Sequence, residues 1–306
     1  MAIIHIGYPK SASTSLQLNL FPEFARANNL IFNDPEGILF IKNAHMNNAS
    51  REEFSEFRAR YRSNKYIFSW EGIVGECPQM WKHCLHLNQE CFEPDWPIFL
   101  VLRPPEGLVN SLYLQKVEDG FLFNHHDISS YLVESSEYRS FDWPVETFDL
   151  SKFSYSELSN LYESNFTNFF IVTISNIEDV FHTINRFHGG VLDCDIDIQL
   201  NKTKKNKKMK YWSYSFARFL NRFRSVENLR KSDKLKAYGI LVGRKSNSIL
   251  RRSIRRTVIR LIKRIEYFFG APDAVDSHKL KLDPRIKKSQ QFYDEILNRA
   301  VVSKRQ

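Results

Sequence analysis

Residues 5–17 read His5-Ile-Gly-Tyr-Pro-Lys-Ser-Ala-Ser-Thr-Ser-Leu-Gln17. An apolar run, Ala2–Gly7, ends here; Gly7 and Pro9 set a sharp turn, Lys10 follows, and Ser11, Ser13, Thr14 and Ser15 crowd the start of a helix. Free backbone N–H groups at a helix N-terminus, together with the positive end of its dipole, make an anion site, and hydroxyls add donors. Lys10 adds a mobile point charge. Thr14-Ser-Leu-Gln17 also fits an ordinary capping box, but capping accounts for neither Lys10 nor the density of hydroxyls, so an anion cradle over Lys10, Ser11, Ala12, Ser13, Thr14 and Ser15 is the stronger reading. A Walker A loop places its lysine directly after a second glycine. None precedes Lys10, so the turn is built like a phosphate loop without being an ATP motif.

Working outward, apolar β-rich runs recur at Tyr66–Ser69, Pro97–Arg103 and Asn168–Ile174, with Leu30–Phe32 as a weaker one. Continuous apolar runs alternating with helical patterns predict a parallel sheet covered on both faces, an α/β fold with a central parallel sheet flanked by helices. In such sheets ligands bind at the carboxyl ends of strands. That draws attention to a second strand-to-helix turn, where Pro97–Arg103 runs into Pro-Pro-Glu-Gly and a helix carrying Leu108, Leu112 and Val117. Further on, Ile177–His188 reads as an amphipathic helix stopped by Gly189-Gly190.

The 306 residues carry a net charge of +9, with 42% hydrophobic and 14% aromatic side chains, which excludes a disordered or fibrous chain as a whole. The charge is unevenly spread: residues 1–201 hold 14 basic and 27 acidic side chains, residues 202–306 hold 30 and 8. The basic excess therefore belongs to the last third and asks for an acidic partner. A lysine-rich stretch, Asn201–Lys208, opens that region. Beyond it Trp212, Phe216, Phe219, Leu220 and Phe223 share one predicted helical face, and Leu250, Ile254, Val258, Leu261, Ile262 and Ile265 share another, with arginines opposite.

The longest apolar runs are strand-sized, so no membrane span is expected. The N-terminus has no signal-peptide pattern, which leaves a cytoplasmic address as the default. Cys77, Cys84, Cys91 and Cys194 are then expected as reduced thiols, and the seven-residue spacing of the first three is not a zinc pattern.

The first turn closely resembles the 5′-phosphosulfate loop of the sulfotransferase family, which uses 3′-phosphoadenosine 5′-phosphosulfate (PAPS). In that family the 3′-phosphate is held by an arginine at a strand end, with a proline two residues on, a serine eight on and commonly a tyrosine ten on. Arg103, Pro105, Ser111 and Tyr113 occupy those positions. A guanidinium at a strand end can grip a phosphate with two donors, whereas a lone arginine there is more often a surface ion pair. The resemblance covers residues 2–204 and implies a P-loop-like sulfotransferase core over 1–204. It leaves 205–306 as a basic helical C-terminal region packed on or extending that core. Lys202, Lys204 and Lys205 fall where family members often close a basic loop over the nucleotide, and a solvated lysine run is the plain alternative.

The implied activity is transfer of a sulfuryl group from PAPS to a hydroxyl or amine, releasing 3′-phosphoadenosine 5′-phosphate (PAP), with no metal required. Lys10 would neutralise the leaving phosphate oxygen. A general base is then needed within hydrogen-bond reach of the acceptor. Glu71, just after the run Tyr66–Ser69, is the first choice, set against a purely structural carboxylate; His45 is the reserve, and His125 and His126 are candidate cleft residues. A glycan or glycolipid acceptor is expected, with an anionic membrane surface met by the basic C-terminal region, so that the cytoplasmic protein would lie peripheral at the membrane, and nucleic acid disfavoured. The competing classes are a P-loop-type nucleotide kinase or phosphotransferase, and a non-enzymatic binding protein whose basic helix Arg251–Phe268 meets membrane or nucleic acid.

Overall fold

The computed structural model describes residues 2–7, 16–45, 49–63, 65–75, 77–119, 128, 132–133, 147–177, 179–188, 190, 192, 212, 214–217, 257–263, 265, 280 and 283–303. The strands in chain order are β1 (Ile3–His5), β2 (Ile31–Phe32), β3 (Tyr66–Ser69), β4 (Ile98–Leu102), β5 (Leu132–Val133), β6 (Phe148–Asp149) and β7 (Phe169–Thr173). Five of them form one all-parallel sheet in the order β2-β3-β1-β4-β7; β5 and β6 pair separately. The five apolar runs of the sequence are the five strands of that sheet, and the expected α/β architecture is present.

Helices α1 (Phe21–Ala27), α2 (Pro35–Ala44), α3 (Arg51–Arg60), α4 (Trp81–Cys91), α5 (Pro105–Asp119), α6 (Tyr155–Glu163), α7 (Asp179–Phe187) and α8 (Pro284–Ser303) surround it. The period of two along each strand splits the core. Ile4, Ile6, Phe68, Ile98, Leu100 and Leu102 pack with side chains of α2, α3, α4, α5 and α6. Ile3, Ile67, Phe99 and Val101 face the other way, onto Phe21 and Phe24 of α1 and Val180, Phe181 and Ile184 of α7. Leu108, Leu112 and Val117 of α5 are buried as their spacing requires. α7 ends where the glycine pair stops it, with Gly190 at φ +79° and its N–H donating to the Asn185 carbonyl at 2.9 Å.

The strand order has a functional consequence. From β1 the chain goes to one edge at β2, returns to β3, then crosses β1 to β4 and continues outward to β7. The direction of travel therefore reverses between β1 and β4, and the crevice at the carboxyl ends of those two strands is the topological switch point where ligands of open α/β sheets bind. The two strand-to-helix turns singled out in the sequence are the two that leave β1 and β4.

In the C-terminal third only part of each expected apolar face lies among the described residues. Trp212 is 47% exposed while Ala217 is fully buried and Tyr214 turns inward. In the helical stretch 257–263 the buried residue is Ile259, whereas Leu261 and Ile265 of the expected stripe are 56% and 42% exposed. The seat is polar as well as apolar: Lys263 Nζ lies 2.6 Å from Glu118 Oε2 at the end of α5. α8 packs against β7, α6 and α5.

Candidate active site

At the end of β4 the chain passes from Leu102, paired in register with Thr173 of β7, to Arg103 and then Pro104-Pro105 at the start of α5. Proline in the first helical turn costs no hydrogen bond, and it fixes the direction in which α5 leaves the sheet. Arg103, Gly107 and Ser111 follow at four-residue steps and share one side of that helix. The guanidinium lies back over the first turn: a Cβ on Gly107 would stand 3.3 Å from Arg103 Nε and 3.7 Å from an Nη. Ser111 is half-buried on the same side. Burial pulls the pKa of Arg103 down from the ordinary arginine range, with the phenols of Tyr155 and Tyr293 acting the other way. A partly desolvated guanidinium at a strand end binds an anion more strongly than a fully hydrated one.

Tyr113 does not share that side. It is fully buried, and its hydroxyl is 2.7 Å from that of Tyr214. Two residues along a helix turn a side chain by about 200° from Ser111, which carries Tyr113 into the core.

On the other side of β1, β3 ends at Ser69, in register with His5. His5 is fully buried and its Nδ1 is 2.7 Å from Ser69 Oγ; burial lowers its pKa to about 3 and keeps the ring neutral. Ser69 is also clasped by the side-chain amide of Asn33, which accepts from the Ser69 N–H at 2.8 Å and donates to the Ser69 carbonyl at 3.1 Å. Asn33 does this from a left-handed conformation, φ +46°, that asparagine tolerates better than most residues. Glu71 comes two residues later, half-buried in the turn 70–75, with the indole of Trp70 folded over the α-carbon of Gly72. Asn88 fastens that turn from α4, donating to the Ile73 carbonyl at 2.9 Å while its amide also lies 2.7 Å from the Tyr162 hydroxyl.

His45 stands edge-on to Trp70, ring centroids 5.5 Å apart at 90°. Its Nδ1 is 2.9 Å from the Ile41 carbonyl, and burial lowers its pKa to about 4. The structure thus brings His45, Trp70 and Glu71 to one end of β3, and Arg103 with Ser111 to the end of β4, two strands away across β1. Lys10, Ser11, Ala12, Ser13, Thr14, Ser15, His125, His126, Lys202, Lys204 and Lys205 lie outside the described residues. Among the described residues no cluster of three or more His, Cys, Asp or Glu could hold a metal ion, and Cys77, Cys84 and Cys91 are buried and in no disulfide. No helix among them is long and apolar enough to cross a membrane.

Three residues at the Arg103 end were not singled out in the sequence. Tyr155 donates from its phenol to the carbonyl oxygen of Arg103 at 2.8 Å, Ser289 accepts from the Tyr155 N–H at 3.4 Å, and Tyr293 places its hydroxyl 3.4 Å from Ser175 Oγ, just beyond β7. Their separations of 52, 134 and 118 residues leave no local signal. Comparison with family models, with curated proteins and with solved structures finds no match.

Proposed function

We propose that this protein is a PAPS-dependent sulfotransferase, transferring a sulfuryl group to a hydroxyl or amine of a glycan or glycolipid and releasing PAP. The observation that carries the reading is the coincidence of the two turns with the switch point. A Lys/Ser/Thr-rich turn follows β1, and an arginine half-buried over a helix's first turn follows its neighbour β4. The donor set suits the group: Gly107 leaves open the space beside the guanidinium that a Cβ would fill, and Ser111 adds a hydroxyl on the same side.

In this reading Arg103 and Ser111 hold the 3′-phosphate, and Lys10 with the amides and hydroxyls of Ser11 to Ser15 holds the 5′-phosphosulfate, with Lys202 and Lys204 closing over it. The acceptor oxygen attacks sulfur as the bond from sulfur to the bridging phosphate oxygen breaks. The acceptor proton passes to Glu71, with His45 as the reserve base, and Lys10 neutralises the charge left on PAP. Positioning and charge stabilisation supply most of the acceleration, as in phosphoryl transfer.

The test is calorimetric titration with PAP. Lys10→Ala and Arg103→Ala should each weaken binding at least about tenfold, the scale of one lost charge-assisted hydrogen bond; unchanged affinity removes PAPS from the assignment. A thermal shift with ATP and Mg²⁺ exceeding that with PAPS would favour the kinase reading instead.

One observation favours a membrane surface as the place of reaction. Leu261 and Ile265, one helical turn apart, are exposed beside the exposed Arg260 in a stretch of sequence with seven basic and no acidic residues between 251 and 264. Apolar side chains flanked by cations suit an anionic bilayer interface. Salt-sensitive flotation with anionic liposomes, abolished by Leu261→Asp together with Ile265→Asp, is the expected result.

A further inference from the structure

Arg103 sits on a turn that the fold fixes from a distance. Its side chain lies over Gly107, but its main chain is fixed by Tyr155, a fully buried residue at the start of α6 whose phenol donates to the Arg103 carbonyl at 2.8 Å. That phenol is held in turn. The Tyr155 N–H, one of the donors a helix start leaves without an intrahelical acceptor, reaches Ser289 Oγ on α8 at 3.4 Å, and Ser289 is 1% exposed. One turn further along α8, Tyr293 is 3% exposed and meets Ser175, two residues past the end of β7, the strand paired along its whole length with β4. The C-terminal helix therefore touches both supports of the turn after β4: the helix start that bonds it and the strand beside it.

Resting on the PAPS reading, we infer that α8 is a positioning element of the 3′-phosphate site, directing Arg103 through Ser289 and Tyr155 and bracing the adjacent strand end through Tyr293. α8 then belongs with the nucleotide site through the residues that hold its arginine in place. A small change in the direction of Arg103 alters a two-point grip on phosphate much more than it alters packing.

The probes are PAP and adenosine 5′-phosphate, which differ only in the 3′-phosphate, titrated by competition against the full chain. Ser289→Ala and Tyr293→Phe remove one hydroxyl each and preserve shape; Tyr155→Phe removes the bond to the Arg103 carbonyl. Each should weaken PAP about three- to tenfold, leave adenosine 5′-phosphate within twofold, and raise the KM for PAPS without lowering kcat. Equal losses for both nucleotides, or unchanged PAP affinity in Ser289→Ala and Tyr293→Phe, would overturn the inference. Arg103→Ala separates the two levels. If it leaves PAP binding intact, or if the wild type does not bind PAP, the cofactor reading itself falls; if it abolishes the difference between the nucleotides while the α8 variants do not, only the role of α8 falls.

Discussion

Gly107 lets Arg103 lie against the first turn of α5, with Nε 3.3 Å from where a Cβ would stand. Alanine at this position would gain about 0.5–1 kcal/mol from helix propensity, yet its methyl would displace the guanidinium by a few tenths of an ångström. Gly107→Ala is therefore expected to hold or raise the unfolding free energy while weakening PAP about threefold, and Gly107→Val to weaken it further. Paired denaturation and calorimetry check this; a loss of stability with unchanged affinity would place the role of Gly107 in folding alone.

That contact also marks what a linear reading can and cannot reach. The five strands were legible because continuous apolar runs such as Ile98–Leu102 have few alternatives to a buried parallel strand. Arg103 and Ser111 were legible through a resemblance to a family motif, and their nearness in the structure follows from a local separation of eight residues. The order of strands was not, since the crossings that put β1 between β3 and β4 depend on which faces meet. Tyr155, Ser289 and Tyr293 were hidden for the same reason, their partners lying 52 to 134 residues away. In the C-terminal stripe periodicity groups the apolar residues without saying which of them the core covers: Ile259 is buried, Val258 and Ile262 are half-buried, Lys263 meets Glu118, and Leu261 and Ile265 stay outside.

Glu71 and His45 stand at the same end of the sheet and are separable by experiment. Glu71→Gln keeps the size of the side chain and removes the proton acceptor, so PAP affinity should stay within twofold while kcat falls about 10²- to 10⁴-fold. His45 has one ring nitrogen 2.9 Å from the Ile41 carbonyl and the ring set edge-on to Trp70, so His45→Gln should act chiefly on stability. Single-turnover rates for the two variants decide between them: a large loss in His45→Gln with a small one in Glu71→Gln exchanges their roles.

Stability should fall on acidification because of buried neutral histidines. His5 has its pKa lowered by burial to about 3 and His45 to about 4, against about 6.5 in the unfolded chain. Between these values the unfolded chain binds more protons than the folded one. Their contribution is therefore complete above pH 6.5 and is lost as pH falls toward the folded values. The loss between pH 7 and 5 is on the order of 2 kcal/mol for each ring. Urea unfolding across that range should show the decline, and His5→Asn should make it shallower; an unchanged slope in that variant would mean His5 is solvated in the folded state.

Asn88 connects folding to the candidate base. Its amide serves the Ile73 carbonyl at 2.9 Å and the Tyr162 hydroxyl at 2.7 Å, and Asn88 itself is fully buried. Removing it leaves a buried carbonyl and a buried phenol with one partner fewer each, at about 1–3 kcal/mol for each group left unsatisfied. The turn 70–75 loses its tie to α4 and α6 loses a bond at Tyr162, near its end, while the bond from Tyr155, at the start of α6, to the Arg103 carbonyl is not removed. Asn88→Ala should accordingly lower the unfolding free energy by about 2–4 kcal/mol and reduce kcat. At temperatures where the variant remains folded, PAP affinity should be unchanged. A variant that lost PAP binding in parallel with turnover would show that the two ends of the sheet are coupled through α6, which carries both Tyr162 and Tyr155.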